Sequence, residues 1–354
     1  MTDHVEYRMY LGAYTGEDSA AHGIGLAHVD AEGRIGHVDL VADTPDPSFL
    51  APAPDGSMLY AVNETSEGRV TAFAVRADGT LREVNSQPSG GEGPCHVSVH
   101  PCGRYVFTAN YVSGNVVVYQ VGEGGALREP CHVVQHSGSG ADPDRQRGPH
   151  AHQIIADPEG GHVLTVDLGT DSVHVYGFDA ESGHLVDGQE MFMPPGTGPR
   201  HLAFSPAGDR LYLLSELAST MTEFDYDART GSLRRGRSLS TLPEDHSGPN
   251  LASEVVVSPD GRYVYGSNRG HDSIAVFDSG ADGGEFRLLG VHPAGVALPR
   301  HISLCSRGRM LFVAGQDSGT VRTFPLGETG EPGEPSEPVD TPTPACVLPM
   351  AVAQ

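Results

Sequence analysis

Alternating apolar and polar residues recur along the whole chain in short runs, and the runs come in pairs separated by a turn of the form Pro-x-Gly. Residues 104–109 (RYVFTA) follow one such turn, and residues 115–119 (NVVVY) come a few positions later. A period of two over five or six residues predicts half-buried β-strands. The chain is therefore expected to consist of short antiparallel strands with almost no helix.

The paired strands form a long repeat. Its six turn glycines are spaced 47, 57, 48, 53 and 47 residues apart, and the last turn is a degenerate copy, Ser-Arg-Gly. A polar glycine turn and a weaker fourth strand follow each pair. Four short strands at this period are typical of a propeller blade, because radial repetition leaves only short strand edges. The turn glycines are Gly56, Gly103, Gly160, Gly208, Gly261 and Gly308.

The residues outside these six units predict a seventh blade. Strand patterns cover residues 7–14, 23–29 and 35–41, and a single further pattern covers residues 345–348. We expect the last strand to close the ring against the first ones. Residues 327–344, rich in Glu, Pro and Gly, would connect to it, although their composition also fits a disordered tail. The predicted fold is one all-β, seven-bladed propeller domain spanning residues 1–354.

Composition excludes several functions. The 354 residues carry a formal net charge of −24, and all 22 cationic residues are arginine. Without lysine, the chain cannot form a lysine Schiff base or a P-loop. The excess of acidic residues also disfavours nucleic acid and anionic membranes as partners.

The five cysteines are scattered and form no C-x-x-C pair. This pattern indicates neither a zinc ribbon nor a disulfide framework, and it fits reduced thiols. No apolar leader and no run of about 18 apolar residues is visible, so we expect a cytoplasmic protein. No cofactor is predicted, and the oligomeric state is left open.

The hairpin geometry predicts a site. Residues equally distant from a turn glycine on its two sides should lie close together, and in a propeller they gather at one mouth of the central channel. Taking eight residues on each side gives the pairs Ser48 with Glu64, Cys95 with Tyr111, His152 with Leu168, Arg200 with Glu216, Ser253 with Arg269, and Arg300 with Gln316.

This register places three arginines at one mouth, Arg200, Arg269 and Arg300, with His96, His201, His301 and Glu254 one position inward. A concave cluster of positive charge attracts an anion even when the whole protein is acidic. Arginine also suits bidentate binding of carboxylate or phosphate. The two longest repeats carry extra loop at residues 135–149 and 242–251, and both loops should lie over the same mouth.

Other interpretations of these residues stay open. Arg200 and Glu216 could form a purely structural ion pair. His150 and His152 have the spacing of two metal ligands on one strand face, but no third ligand is clearly designated, so no metal is expected.

Four short sequence blocks carry a resemblance to a known protein family. They are GPHAH at residues 148–152 with VDLGTD at 166–171, GPRH at 198–201 with SEL at 215–217, ASE at 252–254, and SNRG at 267–270. In this order and spacing they resemble the seven-bladed β-propeller lactonases, the bacterial 6-phosphogluconolactonase-like group to which fungal carboxy-muconate cyclase is also similar. The resemblance implies an active site formed by His150 or His152 with Arg200, Glu216 and Arg269.

Lactone hydrolysis would use these groups without a covalent nucleophile. Glu216 or His152 would activate the water, and Arg200 would stabilise the oxyanion. Arg269, with Arg300 or His301, would hold the substrate's phosphate or carboxylate. The remaining expected substrate-binding residues are His201, Glu64, Glu254, Tyr111 and Gln316.

Two other functions stay open. The same groups acting in reverse would close a lactone, as in a muconate-type cycloisomerase or a cyclase of secondary metabolism. A non-catalytic binding propeller is the second alternative, and it would not need the ring of His, Arg and Glu. The expected partner is a small anionic lactone or carboxylate.

Overall fold

The computed structural model describes residues 6–17 and 19–352, which form 28 strands in seven four-stranded antiparallel sheets. A single 3-10 turn, Glu123–Gly125, interrupts this all-β structure of the described ranges. The innermost strands of neighbouring sheets contact one another all the way round, so the sheets are blades around a central channel. The all-β, seven-bladed propeller predicted from the repeat is confirmed.

The blades are numbered here by the order of their hairpin turns. Blade 1 contains Leu50–Pro52, Met58–Asn63, Arg69–Val75 and Leu81–Pro88; blade 2 contains Pro94–Val99, Tyr105–Asn110, Asn115–Val121 and Leu127–Gln135. Blade 3 contains Ala151–Ala156, His162–Asp167, Ser172–Asp179 and His184–Phe192; blade 4 contains Pro199–Phe204, Arg210–Ser215, Thr220–Asp227 and Ser232–Ser240. Blade 5 contains Leu251–Val257, Tyr263–Arg269, Ser273–Asp278 and Arg287–Pro293; blade 6 contains Pro299–Leu304, Met310–Gly315, Thr320–Pro325 and Val339–Asp340. Blade 7 contains Pro344–Ala351, Tyr7–Ala13, Gly23–Val29 and Asp39–Asp43.

Blade 7 closes the ring. Its inner strand, Pro344–Ala351, pairs antiparallel with Tyr7–Ala13, the first strand of the described chain. Strands from the two ends of the chain therefore share one blade, as predicted. The outermost strand of this blade begins at Asp39 rather than at residue 35, because Ile35 forms only an isolated bridge to Val29.

The segment predicted as a connector, residues 327–344, also contains a strand. Val339–Asp340 pairs with Thr320–Pro325 and forms the outer edge of blade 6. Proline has no backbone N–H to donate to a ladder, and this segment is rich in it, so the regular pairing is limited to two residues.

The apolar core is divided among the contacts between blades. Seven clusters of buried side chains are found in the described residues, and each cluster joins two neighbouring sheets. Between blades 1 and 2, for example, Tyr60, Val97, Val117 and Tyr119 pack together with almost no exposed surface. Burial of this kind on both faces of each sheet holds the blades at fixed angles and so fixes the residues around the channel.

Candidate active site

The inner strands of five blades are irregular where they reach the mouth of the channel. Ladder pairing skips one residue in four of them, and the skipped residues are Cys95, His152, Arg200 and Arg300. In blade 5 it skips Ser253 and Glu254. A β-bulge redirects a side chain, and bulges are common beside active sites. Four of the predicted site residues, His152, Arg200, Arg300 and Glu254, therefore leave the regular ladder.

Glu216 is the centre of the largest ion-pair network at this mouth. Its Oε2 accepts hydrogen bonds from Arg200 Nε at 3.1 Å and from Arg269 Nη2 at 2.7 Å. Its Oε1 accepts one from Arg145 Nη2 at 2.7 Å. Arg200 also donates to the carbonyl of Ser253. Three guanidinium groups thus surround one buried carboxylate.

A second network lies beside the first. Tyr14 donates its hydroxyl hydrogen to Glu64 Oε2 at 2.9 Å, and Arg300 donates to the Tyr14 hydroxyl with its guanidinium 5.0 Å from the centre of the tyrosine ring. Ser48 donates to the same Glu64 oxygen. The backbone carbonyl of Arg300 accepts a hydrogen bond from Ser253 Oγ at 2.6 Å, which joins the two networks. The mouth therefore contains four guanidinium groups and two carboxylates.

The two histidines of the GPHAH block lie in different surroundings. His150 stacks on the ring of Tyr111 with the ring centres 4.5 Å apart, and its Nδ1 is 2.8 Å from the Tyr111 carbonyl oxygen. His152 is buried, with its ring 5.0 Å from that of His201 and 5.5 Å from that of Tyr111. His152 is therefore the histidine of this block that faces the channel groups.

A second layer lies deeper in the channel. His201 Nδ1 is 2.9 Å from both oxygens of Glu254, and His301 Nε2 is 3.4 Å from Glu254 Oε2. Phe49 packs against both imidazoles and against His96. The inward placement of these residues agrees with the register, but His301 pairs with Glu254 in this layer instead of joining Arg300 at the mouth.

The electrostatic environment shifts the pKa values of two buried carboxylates, Glu216 and Glu254, in opposite directions. Burial would raise the pKa of Glu216, but the charges of Arg269 and Arg200 and the contact with Arg145 hold it at about 2. Burial raises the pKa of Glu254, and the neighbouring cations only partly offset this. Glu216 is consequently a poor proton acceptor near neutral pH.

The basic groups are shifted by the same burial. Burial, together with the charge of Arg200, lowers the pKa of His152 well below its ordinary value. His201 is shifted in the same direction for the same reasons. Burial also lowers the pKa of Arg269 to about 10, which still leaves it charged at neutral pH. The site therefore combines neutral imidazoles with charged guanidinium groups.

Several buried polar atoms of the described residues have no hydrogen-bond partner in the protein. Four of them belong to predicted site residues: His152 Nδ1, His201 Nε2, Arg269 Nε and Gln316 Oε1. Buried polar atoms are almost always paired, so each of these atoms is available to a water molecule or to a polar atom of a ligand. The backbone N–H of Gln316 donates to the Leu298 carbonyl at 3.0 Å, which holds this residue at the start of the blade 6 hairpin.

Within the described ranges, no three His, Cys, Asp or Glu side chains are grouped as metal ligands. His150 is instead held by the Tyr111 carbonyl, whereas His152 lies beside His201. Over the same part of the chain, no helix has the length and apolar character of a membrane span.

Two residues of the site were not predicted. Arg145 lies on the long loop after blade 2, and its neighbour Gln146 anchors that loop to blade 3. The loop's length indicated its position over the mouth but not which side chain would enter. Tyr14 belongs to blade 7, which has no Pro-x-Gly turn, so no register could relate it to Glu64.

The second long loop, residues 242–250, leads to the mouth end of the inner strand of blade 5. There the side-chain Oδ1 of Asn250 accepts a hydrogen bond from the backbone N–H of His271 at 3.1 Å.

The all-β propeller thus gathers, at one channel mouth, the arginines and histidines that anion binding and proton transfer would require. The profile of the family described as lactonase, 7-bladed β-propeller, matches residues 8–349, and this chain belongs to that family.

Two relatives and one solved structure illustrate the similarity. The chain is 32% identical over 346 residues to a 6-phosphogluconolactonase of Bacillus subtilis, covering 97% of this chain and 98% of the relative. It is 34% identical over 297 residues to a probable 6-phosphogluconolactonase of Arthroderma benhamiae, covering 80% and 74%. The structure of a periplasmic gluconolactonase of Pseudomonas aeruginosa superposes with a TM-score of 0.93 at 30% identity, covering 98% and 100%.

Proposed function

We propose that this lactonase-family chain hydrolyses an anionic sugar lactone, with 6-phosphogluconolactone as the first substrate to test. The observation that carries the proposal is that buried His152 lies within the field of Arg200 and Arg269, the two arginines that pair with Glu216 at one channel mouth. The names of the Bacillus and Arthroderma relatives support the choice of substrate. The free cysteines fit the proposed cytoplasmic location, which stays a prediction.

In the proposed reaction, His152 accepts a proton from water as the water oxygen attacks the lactone carbonyl carbon. Arg200 stabilises the negative charge that develops on the carbonyl oxygen. When the intermediate collapses, the ring C–O bond breaks and the protonated His152 returns its proton to the departing oxygen. The products are the open hydroxy acid and the unchanged enzyme.

Glu216 is assigned a positioning role. Its charge is already paired with guanidinium groups, so it is a weaker candidate for the base than His152, whose buried Nδ1 has no partner among the described residues. It instead fixes the orientation of Arg200 and Arg269 before substrate enters, which reduces the reorganisation that catalysis would otherwise require. Of the two bases that the sequence left open, the surroundings favour His152.

The proposal is tested by hydrolysis of freshly generated 6-phosphogluconolactone, corrected for its spontaneous opening. Wild type should turn the lactone over, and Glu216→Gln should lose at least about tenfold in kcat because the arginines are no longer fixed by a full charge. Glu223→Gln, in the same blade but outside the network, is the matched control. A folded wild type that leaves this lactone and unphosphorylated gluconolactone unchanged would rule out the sugar-lactone assignment.

The pH profile provides an independent prediction. A base must be unprotonated to act, and burial and Arg200 lower the pKa of His152. We therefore expect kcat/KM to stay level as pH falls from 8 to 6.5 and to decline only at lower pH, in the profile corrected for spontaneous opening. A decline centred at or above pH 6.5 would contradict the assignment of buried His152 as the base.

A further inference from the structure

The loop of residues 136–150 is built as an ordered arm over the channel mouth. It connects the outer strand of blade 2 to the inner strand of blade 3, and it accounts for the longest interval between turn glycines, 57 residues. Its residue Arg145 contacts Glu216, so the middle of the loop lies over the site.

Buried contacts fasten both ends and the middle of this arm to blade 3. Asp167 Oδ2 is 2.8 Å from His136 Nδ1 at one end of the loop, and Asp167 Oδ1 accepts from the His150 N–H at 2.8 Å at the other. Between them, Gln146 Nε2 donates to Asp171 Oδ1 at 2.8 Å. One buried aspartate thus clamps both ends, and the residue before Gln146 is held in a defined place.

That residue is Arg145, the most accessible cation of the Glu216 network. Its side chain is 35% exposed, whereas those of Arg200 and Arg269 are 4% and 9% exposed. Arg145 Nη2 donates to Glu216 Oε1 at 2.7 Å and to the Tyr111 hydroxyl at 3.2 Å. An anion entering from solvent therefore meets the Arg145 guanidinium before it reaches the buried arginines.

Arg145 is not the sole partner of Glu216. Arg200 and Arg269 both bind Oε2 of this carboxylate, so its charge stays paired when Arg145 releases Oε1. Removing the only partner of a buried charge is strongly unfavourable, but removing one of three is much less so. The released Tyr111 hydroxyl becomes a second donor for an incoming anion.

We propose that Arg145 binds the phosphate group of the substrate and selects phosphorylated over unphosphorylated sugar lactones. This inference rests on the proposed function and deepens it. A phosphate carries up to two charges and three acceptor oxygens, and a guanidinium matches it in charge and in hydrogen-bond geometry. The lactone ring, at the far end of the same molecule, then lies toward His152 and Arg200.

The test compares wild type with Arg145→Gln and with Arg147→Gln as the matched control. Arg147 lies two residues further along the same loop, is 78% exposed, and pairs with Asp144 at 3.3 Å. Calorimetric titration with 6-phosphogluconate and with gluconate measures the contribution of the phosphate without requiring turnover. Hydrolysis of the two corresponding lactones is measured in parallel.

We expect Arg145→Gln to weaken 6-phosphogluconate binding by about 10- to 100-fold, the range for losing one charge-assisted contact, and gluconate binding by less than about threefold. Arg145→Lys should recover part of the loss, and Arg147→Gln should match wild type. An equal loss for both acids, or no loss for either, would overturn the inference, as would a wild type that binds the two acids equally. Wild type could also bind 6-phosphogluconate more tightly than gluconate and yet hydrolyse neither lactone. If Arg145→Gln then lost that preference, this inference would be supported and the proposed function refuted.

Discussion

Replacing His152 by asparagine is expected to lower kcat for lactone hydrolysis by about 10²- to 10⁴-fold, the usual contribution of a general base. The substitution removes the imidazole beside the channel, whereas the hydrogen bonds of Glu216 with Arg145, Arg200 and Arg269 involve no atom of His152. KM should change much less than kcat, because the loss falls on the proton transfer. Initial rates over a range of substrate concentrations separate the two constants.

His150→Asn is the matched control for this substitution. The His150 ring is already engaged, since it stacks on Tyr111 and its Nδ1 lies 2.8 Å from the Tyr111 carbonyl oxygen. Its removal should therefore cost far less in kcat than removal of His152. If His150→Asn lost the activity and His152→Asn kept it, the base would have been assigned to the wrong histidine. Circular dichroism of both variants checks that the fold is retained.

Arg200→Gln is expected to lower kcat by about 10²- to 10³-fold, the range found when one donor to a developing oxyanion is removed. Glutamine keeps a hydrogen-bonding side chain but loses the charge and the contact with Glu216 Oε2. Arg200→Lys restores the charge without the planar guanidinium and should recover only part of the rate.

The same experiment distinguishes catalysis from a structural ion pair. Arg200 lies at the bulge of the blade 4 inner strand, whereas Arg210 begins the next strand at the opposite end of the hairpin and donates to the Ser279 carbonyl at 2.8 Å. Arg210→Gln is therefore a control for losing a partly buried arginine of the same blade. If Arg200→Gln lowered only the unfolding midpoint and left kcat equal to that of Arg210→Gln, the Arg200–Glu216 pair would be structural.

The repeat made the fold and half of the site predictable. A hairpin is nearly symmetric about its turn, so counting outward from each Pro-x-Gly glycine brought Arg200 to Glu216, which contact each other in the structure. The count treats both strands as regular, and it could not reveal that ladder pairing skips Arg200 and three of its counterparts. Counting residues outward from a turn contains no information on where a strand bulges.

Tyr14 and Arg145 were not predicted from the sequence for the same physical reason. Tyr14 reaches Glu64 across the junction of blades 7 and 1, and Arg145 is placed by a loop that Asp167 and Asp171 hold from another strand. Both positions follow from contacts between segments with no common turn. For His301 the register gave the right depth, one position inward of Arg300, but it could not reveal that the imidazole pairs with Glu254 of the neighbouring blade.

The shared blade at the junction of the chain ends has a consequence for biosynthesis. Pro344–Ala351 is translated after every other strand of the propeller, yet it is the inner strand against which Tyr7–Ala13 must pair. The strand Tyr7–Ala13 therefore has an unpaired edge throughout the synthesis of the other six blades. Such an edge can pair with foreign strands, so the nascent chain is expected to need protection by chaperones until its last strand emerges.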